Sequence, residues 1–358
     1  MSVRALAACG ALWLFAGASH AAAQTPVANI CQSPEQAVHE EGFVEIGGIP
    51  QWVTINGDKC SNPVVLMVHG GPGNPMSLFA GRIYGGWEKD YTLVQWDQRG
   101  AGMTYGKTRP SDDTPLTFEQ ITDDGIELTR YLTRHLGKQK IVLMGGSWSS
   151  IIAIRMIKAE PGLFSAYLGW SQMVSYRDNP AGTYARLLDL AKTAYDRDSL
   201  ARLEKLGPPP WTDPRAFGIM RRIDRAYEAR VTEPAPADWW QPAPEYATAQ
   251  AQADYTAGED YSYLKFVGLK GDGMYSAVDM PAFGTHFDVP IFLLQGEDDY
   301  LTLPEISRHY FDSLRAPQKA FVMLPRTGHD PNPIMVDAQR KLLDEKIRPL
   351  AEPAPGAP

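Results

Sequence analysis

Met144-Gly145-Gly146-Ser147-Trp148-Ser149 places a serine between a run of apolar residues and a stretch with helical spacing. A serine on a tight strand-to-helix turn is lifted clear of its sheet, where its hydroxyl can act as a nucleophile. The following amide, that of Trp148, stands free at the helix start and can donate to an oxyanion. Small neighbours are required because the flanking backbones approach closely, and Ser149 stands where such a turn ordinarily carries a second glycine. His69-Gly70-Gly71-Pro72-Gly73 follows another apolar run and turns the chain sharply, which makes the Gly71 amide the second oxyanion donor. That glycine run lacks the Lys-Ser/Thr and the spacing of a phosphate loop. His69 is expected to be a structural hydrogen-bonding group, not a base.

The partners of Ser147 come later in the chain. Gln295-Gly296-Glu297-Asp298-Asp299 follows an apolar run, and a carboxylate that orients an imidazole must reach it from just such a loop. Asp299 has the glycine-plus-three spacing, and Asp298 is the runner-up. Arg326-Thr327-Gly328-His329 ends a third run, and Gly328 lets the loop fold back over the site; His20 falls in the signal peptide, and His39, His135, His286 and His309 lack such a post-strand glycine context. The expected chemistry is acyl transfer with Ser147 as nucleophile, His329 as base and Asp299 as acid, without metal or cofactor. An H-E-x-x-H or multi-cysteine ligand set is missing from the sequence. A serine at the turn excludes reactions that need a carboxylate there. A non-catalytic binding protein is the reading from a different class, and it would be expected to lack one of the three residues.

The elements that would position these residues alternate. Phe43–Glu45 and Trp52–Ile55 form a hairpin through Gly47-Gly48. Residues 63–68, 91–96, 141–144 and 164–170 are apolar runs of the kind buried on both faces of a parallel sheet. A helix is expected near Trp87. A longer one starts at the Thr117/Gln120 capping box, repeats Phe118, Ile121, Leu128 and Leu132, and stops at Gly137 with His135 in its last turn. A further helix spans 149–159. From 173 to 286 the pattern changes to helical stretches, 181–195 and 214–229, broken by proline-rich segments and studded with aromatics expected at the surface, among them Trp211, Trp239, Trp240 and Tyr246. Alternation resumes with a strand at 289–294, a helix at 304–314, a strand at 320–324 and a helix at 334–347. The expected organisation is a signal peptide at 1–23, an α/β core at 24–172 and 287–348, a helical cap at 173–286 and a disordered tail at 349–358.

Of 358 residues, 44% are hydrophobic and 21% charged, with a net charge of −8, which suits a globular domain. Without clustered Lys and Arg, neither nucleic acid nor an anionic membrane surface is an expected partner. Arg4, the apolar stretch 5–18 and Ala21-Ala22-Ala23 make a secretory signal peptide cut after Ala23, too short to span a bilayer. The mature chain is then secreted or periplasmic. Its remaining cysteines, Cys31 and Cys60, are expected to form a disulfide.

Together His69-Gly70-Gly71-Pro72-Gly73, Asp97-Gln98-Arg99-Gly100-Ala101-Gly102 and Gly145-Gly146-Ser147-Trp148 resemble the proline iminopeptidases of the α/β-hydrolase superfamily, over roughly 41–343. The resemblance implies an α/β-hydrolase fold, with a mostly parallel central sheet flanked by helices and an inserted helical cap. It also implies release of an N-terminal residue, typically proline, from short peptides; the alternative is a carboxylesterase or amidase acting on small apolar acyl compounds. In such enzymes a cap glutamate holds the substrate's ammonium. Glu245 and Glu259 are the candidates, and Glu204 and Glu228 compete with them. Ser149 and a cap without a W-x-x-W-E segment depart from the family pattern.

Overall fold

The computed structural model of the protein describes residues 28–352. The expected signal peptide lies outside the described residues. Eight strands form one sheet in the order β1-β2-β4-β3-β5-β6-β7-β8: β1 Val38–Ile46, β2 Ile49–Gly57, β3 Val64–Val68, β4 Thr92–Trp96, β5 Ile141–Ser147, β6 Phe164–Gln172, β7 Ile291–Gly296 and β8 Lys319–Leu324. Strand β2 runs antiparallel to both β1 and β4, and every pairing from β4 to β8 is parallel.

The burial patterns explain this division. All residues of β3, β4 and β7 are buried, so those strands must be covered on both faces. Strand β1 instead mixes buried ends with exposed His39, Glu40 and Glu41, the polar face of an edge. Ile46 pairs with Ile49 across the Gly47-Gly48 turn. Helices α1 (Ala80–Tyr84), α2 (Gly102–Thr108), α3 (Phe118–His135) and α4 (Trp148–Ala159) alternate with the first strands. In α3 the Thr117 hydroxyl accepts from the Gln120 amide and the Gln120 side chain accepts from the Thr117 amide, a complete capping box. His135 Nε2 donates to the Glu40 carboxylate on β1 at 2.7 Å.

Between β6 and β7 the chain is helical: α5 (Asp178–Thr193), α6 (Arg197–Leu206), α7 (Arg215–Glu228), α8 (Ala249–Val267) and the short α9 (Met280–Phe283). One isolated bridge, Ser175 to Asp279, closes the base of this insertion. Tyr246, expected at the surface, is buried, because its hydroxyl accepts from Trp52 Nε1 at 2.8 Å and turns the ring inward; Trp240 is exposed as expected. After β7 come α10 (Pro304–Ser313) and, after β8, α11 (Pro333–Leu342). A π-helical turn at Leu343–Ile347 then leads into α12 (Arg348–Ala351). The expectation of a disordered tail from 349 therefore starts too early. Arg348 is held by the Asp90 carbonyl and packs on the Tyr91 ring, which carries helix through Ala351.

Cys31 and Cys60 are bonded, tying the chain before β1 to the loop before β3. In the chain-entropy model, closing a loop of this size contributes about 3–4 kcal/mol. Among the described residues, no helix is long and apolar enough to cross a membrane.

Candidate active site

Five loops at the C-terminal ends of parallel strands converge, those after β3, β4, β5, β7 and β8, as open α/β sheets place their sites. The turn after β5 carries Ser147, which has φ 55° and ψ −128°. That conformation is costly for a residue with a Cβ, and it persists only where the surroundings enforce it. Gly146 makes the turn possible: a Cβ there would lie 2.2 Å from the Trp170 ring on β6. Trp148 opens α4, so its amide belongs to the first turn and has no partner within the helix.

The Ser147 hydroxyl lies 2.8 Å from His329 Nε2, and His329 Nδ1 lies 3.1 and 3.2 Å from the two oxygens of Asp299. Asp299 can only accept, so Nδ1 carries the proton and Nε2 is left to accept from Ser147. The Asp299 carboxylate is fully buried and also accepts from the amides of Leu301 and Thr302, the Thr302 hydroxyl and Gln295 Nε2. Burial alone would raise its pKa, but the His329 charge and the bonds from His329 and Thr302 outweigh it and hold the carboxyl at about 2. Asp298 turns elsewhere, with its Oδ1 near the Tyr300 hydroxyl.

The two glycine-containing motifs are joined by side chains. His69 Nδ1 donates to the Gly70 carbonyl, its Nε2 accepts from the Gln98 amide, and Gln98 Nε2 returns a bond to the His69 carbonyl. Gln98 Oε1 also accepts from Trp148 Nε1 at 3.3 Å. Full burial pushes His69 down to about 4, so it stays neutral as a structural group. Gln98 thus locks the loop after β3 to the residue following Ser147. Gly71, at φ 117°, and Gly73, at φ 78°, turn that loop in a region where side chains are strained. A Cβ on Gly73 would also stand 2.9 Å from the Glu259 Cα on α8.

Of the glutamates considered from sequence, Glu259 lies on α8 directly over Gly73, whereas Glu245 is exposed on a short turn at 244–246 and Glu204 is exposed on α6. Glu228 is buried at the end of α7, beside Gly328, and accepts from the Tyr300 amide at 3.0 Å. A cluster not recognised in the sequence surrounds it. Arg221 bonds to Asp224 and lies 3.5 Å from Glu228, and both Arg221 and Arg225 reach Asp330, the residue after His329. Arg221, Asp224 and Glu228 recur at intervals of three and four on one helical face, a signal that could have placed them together.

The match to the alpha/beta hydrolase family spans residues 65–344, most of the chain. The chain belongs to the alpha/beta hydrolase family. Within it, the chain is 29% identical over 299 residues to the probable aminopeptidase YbaC of Bacillus subtilis (strain 168), covering 81% of this chain and 90% of that one. It is 25% identical over 312 residues to the probable proline iminopeptidase of Streptomyces coelicolor, covering 83% and 92%. The crystal structure of proline iminopeptidase from Mycobacterium smegmatis matches with a TM-score of 0.60 at 16% identity, over 87% of this chain and 99% of that chain. At that identity the structural match speaks for the fold. The likeness to proline iminopeptidases seen in the motifs thus extends over 83% of this chain.

Proposed function

We propose that this hydrolase is an exported serine aminopeptidase that releases N-terminal proline or a similar residue from short peptides. The observation that carries the reading is the unbroken hydrogen-bonded series from Ser147 through His329 to Asp299. In this mechanism Ser147 Oγ attacks the scissile carbonyl carbon as His329 Nε2 takes its proton. Asp299 keeps the proton on Nδ1 and stabilises the imidazolium. The amides of Gly71 and Trp148 hold the oxyanion, each lowering the barrier by about 3–4 kcal/mol. His329 then protonates the leaving amine, and water releases the acyl group by the reverse sequence. Glu259, against the Gly73 turn, is the cap glutamate proposed to receive the substrate's ammonium. The Cys31–Cys60 bond supports an oxidising, extracytoplasmic location.

A carboxylesterase or amidase for small apolar acyl groups is the second reading. The apolar cavity in the cap, lined by Tyr176, Trp211, Phe217 and Tyr275, does not include Ser147, Asp299 or His329 in its lining and does not decide between the two. Prolyl-arylamides with free and blocked amines separate the two. The aminopeptidase reading expects turnover of the free amine alone and a raised KM for it in Glu259→Gln. Equal rates on both substrates would leave the esterase reading standing.

A further inference from the structure

The strained backbone of Ser147 needs something to hold it, and the sheet ladder beside it is irregular. The β5–β6 ladder shifts register between Gly146 and Ser147, where Gly146 pairs with Trp170 but Ser147 with Gln172, leaving Ser171 unpaired at φ 48°. Such a bulge interrupts the regular ladder bonds at the point where the nucleophile turn begins. Two hydroxyls occupy the gap. Ser149 Oγ accepts from the Gly146 amide at 2.9 Å and donates to the Gly146 carbonyl at 2.8 Å. Ser150 Oγ donates to the Ser147 carbonyl at 2.6 Å and accepts from Gln172 Nε2 and the Met173 amide, both at 3.0 Å. Both serines are wholly buried.

We propose that Ser149 and Ser150 are positioning residues that hold the Ser147 backbone in its reactive conformation. Ser149 fixes the peptide units on either side of Gly146, and Ser150 ties the carbonyl of Ser147 itself to the end of β6. Ser149 thus supplies through its hydroxyl what the usual glycine at this position would have to obtain from elsewhere. The position is tight: a Cβ on Gly145 would stand 3.0 Å from Ser149 Oγ and crowd the hydroxyl. Neither serine touches the substrate; each acts through the placement of Ser147 Oγ relative to His329 and the two oxyanion amides.

The proposal rests on Ser147 being the nucleophile, so Ser147→Ala is assayed alongside. The probe is a fluorophosphonate, whose reaction rate reports serine reactivity independently of substrate binding, together with kcat and KM on an aminoacyl-arylamide and a small ester. Ser149→Ala is expected to slow phosphonylation and kcat by tenfold or more while KM stays within twofold. Ser150→Ala, which leaves Gly146 held, is expected to show the same split to a smaller degree, and it serves as the test if Ser149→Ala does not fold. Wild-type phosphonylation in the folded serine variants, with Ser147→Ala inert, would overturn the positioning role alone. Activity surviving in Ser147→Ala would overturn the nucleophile assignment and this role with it.

Discussion

Helices α7 and α8 both bring the insertion against the sheet domain, but by different physics. Helix α8 is joined by close backbone approach and aromatic packing, with an ion pair near its start, Asp254 to Arg109. Gly258 lies against Gly100 and Ala101, the Ser262 hydroxyl donates to the Gly100 carbonyl, and Phe266 meets Trp148 edge-on at 5.1 Å and stacks on Tyr275 at 4.6 Å. Those rings belong to the apolar cluster that also contains Trp96, Leu143 and Ile152, so this part of the insertion continues the hydrolase core. Helix α7 has its own small cluster with α5 and α6, built on Leu187, Leu203, Met220 and Ile223. That cluster also takes in Tyr300 and Leu301 of the Asp299 loop, and α7 reaches the loops of Asp299 and His329 through charge as well: Glu228 to the Tyr300 amide, and Arg221 and Arg225 to Asp330. Apolar contacts are indifferent to pH, whereas a buried ion cluster is held at the balance of desolvation and pairing. One helix is therefore a fixed wall, and the other is an electrostatic strut on the loops that would do the chemistry.

The largest effect should come from the loop on which that strut rests. Asp299→Asn can still pack, but it leaves His329 Nδ1 without its carboxylate, and kcat should fall by about 10⁴-fold. Asp298→Asn should change kcat/KM by less than about threefold, because Asp298 lies beside Tyr300 and makes no bond to His329. Equal losses in the two variants would mean that the loop as a whole, and not one carboxylate, orients the imidazole.

The contrast between the helices is tested next, on stability. Phe266→Ala should cost about 3–5 kcal/mol in urea unfolding, by cavity formation alone, and equally at pH 5 and pH 8. Arg221→Met should cost a similar 3–5 kcal/mol or so at neutral pH, because it strands buried carboxylates. Its cost should also depend on pH. Burial, opposed by Arg221, raises the pKa of Asp224, and it raises Glu228 well above the carboxylate range. A carboxyl raised in the folded state contributes stability that is full below its unfolded pKa of about 4 and is lost as pH climbs through the folded value. Removing Arg221 pushes both further up, with the more exposed Arg225 left as a permanent cation beside Asp330, and with the Asp299 and Asp330 carboxylates and the His329 imidazole as the other ionisable neighbours. The deficit of Arg221→Met should thus be greater at pH 8 than at pH 5. A pH-independent deficit would reduce the strut to ordinary packing.

This division also explains what could be read in advance. Strands β3, β4, β5 and β7 were legible because a strand buried on both faces has to be a short apolar run ended by a turn, and Ser147 and Asp299 sit at two of those turns, while His329 follows the half-buried edge strand β8. The contacts of the insertion were not. Nothing local distinguishes Glu245, exposed on its turn, from Glu259, lying over Gly73, because the difference is made by residues almost two hundred positions away. Tyr246 was misplaced for the same reason, since its burial is decided by Trp52. The role of Ser149 was hidden by its likeness to a tolerated exchange of glycine for serine. A hydroxyl's two bonds to a backbone peptide leave no trace in spacing.

The smallest effect supplies the reference for both helices. Thr117 caps α3, which packs against α4 and β1. Thr117→Ala removes the side-chain acceptor for the Gln120 amide and leaves one half of a capping box, at a cost of about 1 kcal/mol. Because that loss is local to the first turn of α3, it should appear as a lowered urea midpoint with an unchanged slope, and kcat and KM should remain those of the wild type. The same stability loss introduced at α7, through a mild change such as Arg221→Lys, should lower kcat as well, because the strut acts on Asp330 and Tyr300. If Thr117→Ala lowers kcat as much as an α7 change of equal stability cost, the coupling belongs to the whole fold and not to the charged helix.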